Sequence, residues 1–392
     1  MIPFEEALNI VLSNSIPSGE EEVETGSAAG RVLSRDVFSD IDMPPFDKSA
    51  VDGFACRMQD AGCGMDLRVI EAIPAGAVPL KVISPGECSR IMTGGMLPQG
   101  ADAVIMVEDT EISSANTIKF AKDKTAKNIC YRAEDIKNGQ KVLEKGTLIE
   151  PAHFAVLASV GKTGIQVARQ PHIGIISTGN ELVEPVRKPA GAQIRNSNAW
   201  QLLAQARQIP ALGSYYGIAD DSLEELKDKI SMGLHEADIV ILTGGVSMGD
   251  FDYVPEAMES LGAEILFRSV AIQPGRPTVF ARIRDQFIFG LPGNPVSSFV
   301  LFELLVKPFV LKMMGCTEAP RVCAIPMGVD FSRKKSSRKS VIPVTVDGGA
   351  VFPLEYHGSA HINAYTKASG MMIMDIGQTE IKKGESVNVR LL

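Results

Sequence analysis

The sequence predicts a multidomain fold of class α/β plus β: a central doubly wound α/β domain, a β-rich inserted domain ahead of it and a C-terminal β-barrel-like domain. Three observations predict it. Between His172 and Gly315, short apolar runs alternate with segments of helical periodicity, as in a sheet covered on both faces by helices. The flanks, about 57–128 and 320–392, carry short β-rich runs punctuated by Gly and Pro. A chain of 392 residues is also long enough for two to four domains at about 100–200 residues each.

Taken in chain order, Phe4, Leu8, Val11 and Leu12 are spaced for a helix, and the start has neither the basic stretch nor the unbroken apolar run of an export signal. A cytoplasmic location is expected. LRVIEAI, ADAVIMVED and TIKFAK read as strands of the inserted domain, and the region around Lys137–Thr163 as a connecting unit with the N-terminal helix. In the centre, IGIIST (173–178), LGSYYGIA (212–219) and ADIVILT (237–243) read as strands. SNAWQLLAQARQ (197–208), with a Ser cap, and DDSLEELKDKISMGLHEA (220–237) read as helices. A further helix is expected near Pro255–Leu261, then strands in AEILFRSVAI, TVFARI and QFIFGLP, and a long closing helix in PVSSFVLFELLVKPFVLKMM. Glu303, Lys307 and Lys312 interrupt that last apolar stretch, which suits a buried helix and not a membrane span. VCAIPMGV, SVIPVTV, AVFPL, MMIMDI and SVNVRLL follow as short strands.

The net charge of −8 excludes a general nucleic-acid binder, whose affinity comes largely from Lys and Arg neutralising the backbone. An anionic ligand must therefore meet local positive groups. The six cysteines include no CxxC pair and no histidine at finger-like spacing, so reduced thiols are expected.

Ligands of open α/β sheets gather at the carboxyl ends of strands, where STGNE, TGGVSMGD and LPGNP stand here. In TGGVSMGDFDYVP, Gly244 and Gly245 let backbone N–H groups approach an anion, and Asp250 and Asp252 are candidate magnesium ligands or bases. The loop lacks GK[ST] and is no GxGxxG, and taken alone an ordinary tight turn explains it equally well. Glu181, just past a strand end, suits a metal or a heterocycle, or simply a helix N-terminal acid. GIADD adds Asp220 and Asp221, one of which a helix cap would explain. Convergence of acids on one sheet edge is harder to dismiss than any single case.

QPGRPTVF supplies positive charge: Arg276 stands between two prolines that restrict its backbone, with Arg268 and Arg282 nearby. LPGNPVSS places Gly293, Asn294, Pro295, Ser297 and Ser298 at a helix start, suited to an oxyanion, although capping alone would account for the serines. Upstream, DMPPFDKSAVDGFA contains Asp52, MTGGMLPQG contains Thr93, and NICYRAEDIKNG contains Arg132 and Asp135. FSRKKSSRKS reads as a solvated hairpin tip, and HGSAHI, with His357, Ser359 and His361, lacks the partners of a zinc site.

These stretches, with IRNSN and in this order along essentially the whole chain, resemble the MoeA-type molybdopterin molybdenumtransferases, the family that includes the E domain of gephyrin. The related adenylyltransferase loop typically reads TGGTG, whereas this one reads TGGVS, which favours the insertase. The resemblance implies four domains, bounded here as a split N-terminal linker domain (1–52 and 134–169), an inserted β-rich domain (53–133), a molybdopterin-binding α/β domain (170–318) and a C-terminal β domain (319–392). It implies a homodimer and insertion of molybdate into adenylylated molybdopterin with magnesium-dependent release of AMP, forming molybdenum cofactor. The adenylyltransferase of the same pathway is a possible partner; nucleic acid and membrane are not expected.

Carried over by position, Asp52, Asp135, Glu181, Asp220 and Asp252 match the family's catalytic acids, with Asp220, Asp252 and Glu181 as magnesium ligands. Thr93, Arg132, Gly244, Gly245, Ser247, Gly293, Asn294 and Pro295 match substrate-binding positions. Arg268, Arg276, Pro277, Ser297, Arg338 and Ser359 match the molybdate pocket. Two departures stand out: relatives with KPGKP have Lys where this chain has Gln273 and Arg276, and the C-terminal arginine-bearing stretch keeps Arg338 but loses a second arginine. A tungstate-specific insertase and a non-catalytic scaffold are the alternatives.

Overall fold

The central apolar runs build one sheet because each offers both faces to burial. In the computed structural model, which describes residues 1–246, 252–356, 358 and 360–392, the chain divides into two compact units. The larger comprises Met1–Arg35, Lys145–Pro151 and Gly164–Leu392, the smaller Asp36–Glu144 and Ala152–Thr163.

In the larger unit the order is β1 (His172–Thr178), α1 (Asn198–Arg207), β2 (Leu212–Ala219), α2 (Leu223–Glu236), β3 (Ile239–Thr243), α3 (Val254–Ser260), β4 (Glu264–Phe267), β5 (Val279–Ile283), β6 (Gln286–Leu291) and α4 (Pro295–Leu301). The strands lie in the order β2-β1-β3-β6-β5-β4. The first four are mutually parallel; β5 pairs antiparallel with β6, and β4 pairs antiparallel with β5. A two-residue connection turns β5 back onto β6, with Arg284 at φ 54°, and so short a link permits only an antiparallel pair. Side chains alternate across the sheet: Ile239 and Ile241 pack with Leu202 of α1 and Val300 of α4, whereas Val240 and Leu242 pack with Ile230 of α2 and Met258 of α3. The doubly wound centre is thus present.

Local details depart from the expectations at three places. Ser222, not an aspartate, caps α2 by accepting a bond from Glu225 N at 3.4 Å. Ser197 precedes α1 without capping it; the Asn196 side-chain oxygen takes the Ala199 amide instead, at 3.3 Å. The closing helix continues from α4 through a wider π-helical turn, Phe302–Val306, into Lys307–Met313. Among the described residues no helix is long and apolar enough to cross a membrane.

The C-terminal β domain is a six-stranded sheet in the order Ile272–Gln273, Lys339–Asp347, Gly370–Met374, Ser386–Leu391 and Val322–Pro326, with Ala350–Pro353 also paired to Lys339–Asp347. Its first strand comes from the centre of the chain. AEILFRSVAI, expected as one strand, ends at Phe267, and Ile272 and Gln273 pair in parallel with Lys339 and Ser340. The basic FSRKKSSRKS stretch is not simply solvated: Arg333 donates to the carbonyls of Gln378, Arg338 and Asp375 and fastens the segment to the sheet.

In the smaller unit, Ala103–Met106, Gly53–Cys56, Glu87–Ile91, Asp66–Ile73, Thr117–Phe120 and Thr110–Ser114 form a third six-stranded sheet in that order. It confirms the β-rich character read from this stretch.

Phe280, Phe287, Phe289 and Phe309 are fully buried between β5, β6 and the closing helix, with ring centroids 4.7 Å apart for Phe280–Phe289 and Phe287–Phe309. Phe280→Ala is expected to cost about 3–5 kcal/mol by opening a cavity in this cluster. Urea unfolding followed by circular dichroism measures it, and an unchanged midpoint would remove the cluster from the core's energetics.

Candidate functional site

The chain leaves β1 towards β2 on one side of the sheet and later towards β3 on the other. This is a topological switch point, where open α/β sheets form a crevice. Here it is a cleft of about 830 Å³ at the carboxyl ends of β1, β3 and β6. Its floor is backbone. Gly244 has φ +100°, and a Cβ there would lie 2.6 Å from the Thr178 carbonyl oxygen. Gly293 lies beside it, where a Cβ would be in ordinary contact with Gly244 Cα at 3.6 Å. The Gly244 amide donates to Leu291 O at 3.0 Å, joining the loop after β3 to the end of β6. Gly245, at φ +62°, has Val254 in the way of any Cβ, at 2.9 Å.

The walls carry acids. Glu181 folds back over Gly179, where a Cβ would meet its Oε2 at 2.5 Å. Asp252 and Asp221 also line the cleft. Asp221 exchanges two bonds with Asn180, accepting from its amide and donating its own amide to Asn180 Oδ1, each at 3.2 Å. Asp220 is exposed and does not line the cleft, because its carbonyl accepts Ser222 N at 2.7 Å in the tight turn that presents Asp221 instead. Of the two adjacent aspartates, Asp221 is the one that lines the cleft.

A second pocket of about 400 Å³ adjoins the first, sharing Pro277, Pro292 and Asn294 with it. Arg276, Ser297 and Arg338 line it. Arg338 arrives through the Ile272–Gln273 pairing and donates to Ile272 O at 3.5 Å. Tyr356, missed in the sequence reading, lines the same pocket; burial pushes its phenol up to about 12, so it remains a neutral donor at ordinary pH. A pocket with two guanidiniums and two hydroxyl groups suits a small oxyanion.

Gly244, Gly245, Gly293, Asn294, Pro295, Glu181 and Asp252 therefore meet in one cleft, and Arg276, Pro277, Ser297 and Arg338 in its neighbour. Arg268 does not join them: it is exposed and pairs with Glu259 nine residues earlier on the chain. Ser247 and Ser359, with Asp250 and His357, lie outside the described residues. In the smaller unit, Asp52 accepts from Thr93 N at 2.6 Å and from Thr93 Oγ1 at 2.8 Å, and these two bonds hold its carboxyl below the usual range. Arg132 pairs with Asp42 at 2.6 Å, and the exposed Asp135 donates its amide to Met43 O at 3.0 Å.

Among the described residues no group of three or more His, Cys, Asp or Glu forms a ready metal site. Magnesium, however, is commonly held by one or two carboxylates, with waters and substrate phosphates completing its shell. Glu181, Asp221 and Asp252 line a single cleft and are the carboxylates from which such a site would draw.

Residues 2–161 match the MoeA N-terminal region (domain I and II), and residues 174–312 match a probable molybdopterin binding domain. Molybdopterin molybdenumtransferases of Staphylococcus epidermidis and Staphylococcus aureus are 36% and 35% identical to this chain, over 100% of it and 95% of their own length. The chain belongs to the molybdopterin molybdenumtransferase family. Among solved structures, a molybdopterin biosynthesis MoeA protein from Pyrococcus horikoshii covers 100% of both chains with a TM-score of 0.87 and 29% identity. The family assignment and the multidomain fold read from the motifs both stand.

Two outcomes test the geometry. Gly244→Ala is expected to destabilise the larger unit by about 1–3 kcal/mol, read by chemical denaturation, because a left-handed backbone must then carry a side chain. Thr93→Val removes one of the two bonds that depress Asp52, so the Asp52 titration should move up towards the ordinary carboxylate range in a carboxyl NMR titration. The sign follows from the depressed value: the stabilisation that Thr93 gives is present above the unfolded carboxylate range and is lost as pH falls through the folded one. An unmoved Asp52 titration would show that the hydroxyl bond has no influence on it.

Proposed function

We propose that this chain is an enzyme that inserts molybdate into adenylylated molybdopterin, with release of AMP and formation of molybdenum cofactor, and that magnesium is its cofactor. The observation that carries the reading is the junction of two pockets of opposite character: an acidic, glycine-floored cleft beside a smaller pocket bearing Arg276, Arg338 and Ser297. The larger cleft has the volume of a site for an extended organic ligand, whereas the smaller suits a tetrahedral dianion. Their shared wall at Pro277, Pro292 and Asn294 would place the two reactants next to each other.

In this reading the backbone at Gly244, Gly245 and Gly293 lets the substrate's phosphates come close, and Asn294 with Pro295 shapes the junction. Glu181, Asp221 and Asp252 would hold magnesium, which when bound supplies positive charge to the phosphate oxygens. Arg276 offers a planar fork to molybdate where relatives with KPGKP offer lysine, and Gln273 beside it accepts or donates without adding charge. The family resemblance also supports a cytoplasmic homodimer and, with it, roles for Asp52, Thr93, Arg132 and Asp135.

Incubating the purified protein with adenylylated molybdopterin, magnesium and molybdate is expected to release AMP and yield active cofactor. Neither product appearing would sink the proposal, and product with tungstate alone would reassign the oxyanion. Asp252→Ala should lower AMP release by roughly 100-fold or more while the fold is retained. Arg276→Ala should raise the molybdate concentration needed for half-maximal insertion about tenfold or more, as expected for loss of a charged hydrogen bond. An unchanged molybdate requirement would remove Arg276 from the oxyanion pocket.

A further inference from the structure

Two asparagines, Asn196 and Asn198, stand two residues apart at the turn into α1, and both line the cleft. Their hydrogen bonding differs sharply. Asn196, 1% exposed, uses both ends of its amide within the protein. Its Nδ2 donates to Tyr215 Oη at 2.7 Å, and its Oδ1 accepts from Ser177 Oγ at 3.0 Å and from Ala199 N at 3.3 Å. Tyr215 passes the chain on by donating to Glu184 Oε1 at 2.7 Å. Asn196 is a strut.

Asn198, 8% exposed, uses only one end. Its Nδ2 donates to Gly293 O at 2.8 Å, which fixes the amide's orientation, since turning it over would set two oxygens against each other. Its Oδ1 is buried and meets no donor from the protein. Buried acceptors are seldom left without a partner. Among the described residues, Arg31 Nε, Ser89 Oγ and Tyr365 Oη share this condition, but none of those residues lines the cleft.

We propose that Asn198 is a substrate-reading residue whose Oδ1 accepts a hydrogen bond from an N–H or amino group on the heterocycle bound in the cleft. The inference rests on the function proposed above and deepens it. Oδ1 is already shielded from solvent in a residue that lines the cleft, so a ligand group seated against it must offer a donor or leave the oxygen unpaired. Phosphate and molybdate oxygens, ionised at neutral pH, are acceptors and do not meet that demand; ring N–H and amino groups do. Asn198 thus distinguishes the heterocyclic part of the substrate from its anionic part. It also ties the position of the reader to Gly293, part of the backbone floor.

Both heterocycles of an adenylylated pterin carry a suitable donor edge, and two ligand pairs separate them. AMP is compared with purine riboside 5′-monophosphate, which lacks the adenine amino group, and pterin with lumazine, which lacks the 2-amino group. Binding to wild type and to Asn198→Ala is measured by calorimetry or competition, with circular dichroism checking the fold. The expected result is that wild type prefers the donor-bearing member of one pair by roughly fivefold to tenfold, the size of one hydrogen bond, and that Asn198→Ala loses the preference. A preference in the first pair assigns the contact to adenine, one in the second to the pterin. Wild type discriminating neither pair overturns the proposal even where the variant does not fold, and so does a preference that survives in a folded Asn198→Ala. A purely structural role through Gly293 would weaken both members of a pair equally. AMP release by the wild type tests the underlying function separately, because these binding comparisons require no turnover.

Discussion

The approach of Gly244 to Thr178 and Gly293 is the constraint on which the rest of the site depends. The register across three parallel strands sets Ser177, Thr243 and Leu291 side by side, so their loops leave the sheet at the same level. At that level no room remains for a β-carbon: one on Gly244 would lie 2.6 Å from the Thr178 carbonyl oxygen. The outcome is a floor made of main chain, without side chains standing over it. The acids then occupy the walls. Under the proposed function, this division would let an acidic protein receive a phosphorylated ligand, since the carboxylates need only approach it where a cation intervenes.

The second pocket depends on a different backbone contact. Arg276 and Arg338 lie far apart in sequence, and like charges repel and do not gather unaided. The parallel pairing of Ile272 and Gln273 with Lys339 and Ser340 holds the two segments together whatever the charges do. Lys339 reinforces it from below: its ammonium pairs with Glu5 and with Asp375, the latter at 3.0 Å. Burial works against that charge, but the bonds to Glu5 and Asp375 outweigh it, so the Lys339 pKa is raised. An ion-pair network that neutralises Lys339 leaves the neighbouring arginine as the charge available to an oxyanion.

Residue pattern made much of this legible, and the limits of pattern explain what it hid. The parallel strands are apolar on both faces, a signal that survives without knowledge of partners, and the glycine loops mark strand ends directly. Glu181 and Asp252, which line the cleft, could be singled out because each follows a glycine loop at such an end. Which of Asp220 and Asp221 lines the cleft was not legible, since two adjacent aspartates differ only in how the turn at Ser222 aims them. Arg268 reads like Arg276 in sequence, yet it stands near α3 and finds Glu259 there. Ile272–Gln273 is too short to carry any periodicity, so the link that brings Arg338 to its pocket had no signature. The spare oxygen of Asn198 is a property of three-dimensional hydrogen bonding, and IRNSN alone does not separate it from the fully paired Asn196.

The two pockets are held in fixed relation by one short segment, and that bears on how they would act together. Gly293 faces the larger cleft, Ser297 the smaller, and Asn294 both. Asn294 O accepts the amides of Ser297 and Ser298, at 3.0 and 3.2 Å, so the turn that spans the junction is closed on itself. Behind it, Asn198 holds Gly293, while Gln205 donates to Phe299 O at 3.2 Å and to the buried Glu303 at 3.0 Å. Glu303 in turn is paired with Lys307 at 3.0 Å within the π-helical turn and the helix after it. A displacement of this segment would therefore alter both pockets at once, and its anchors oppose such a displacement from both ends. Reaction between two bound partners depends steeply on their mutual placement. Under the proposed function, one anchored turn serving as the wall of both sites would meet that requirement by removing their separation as a variable.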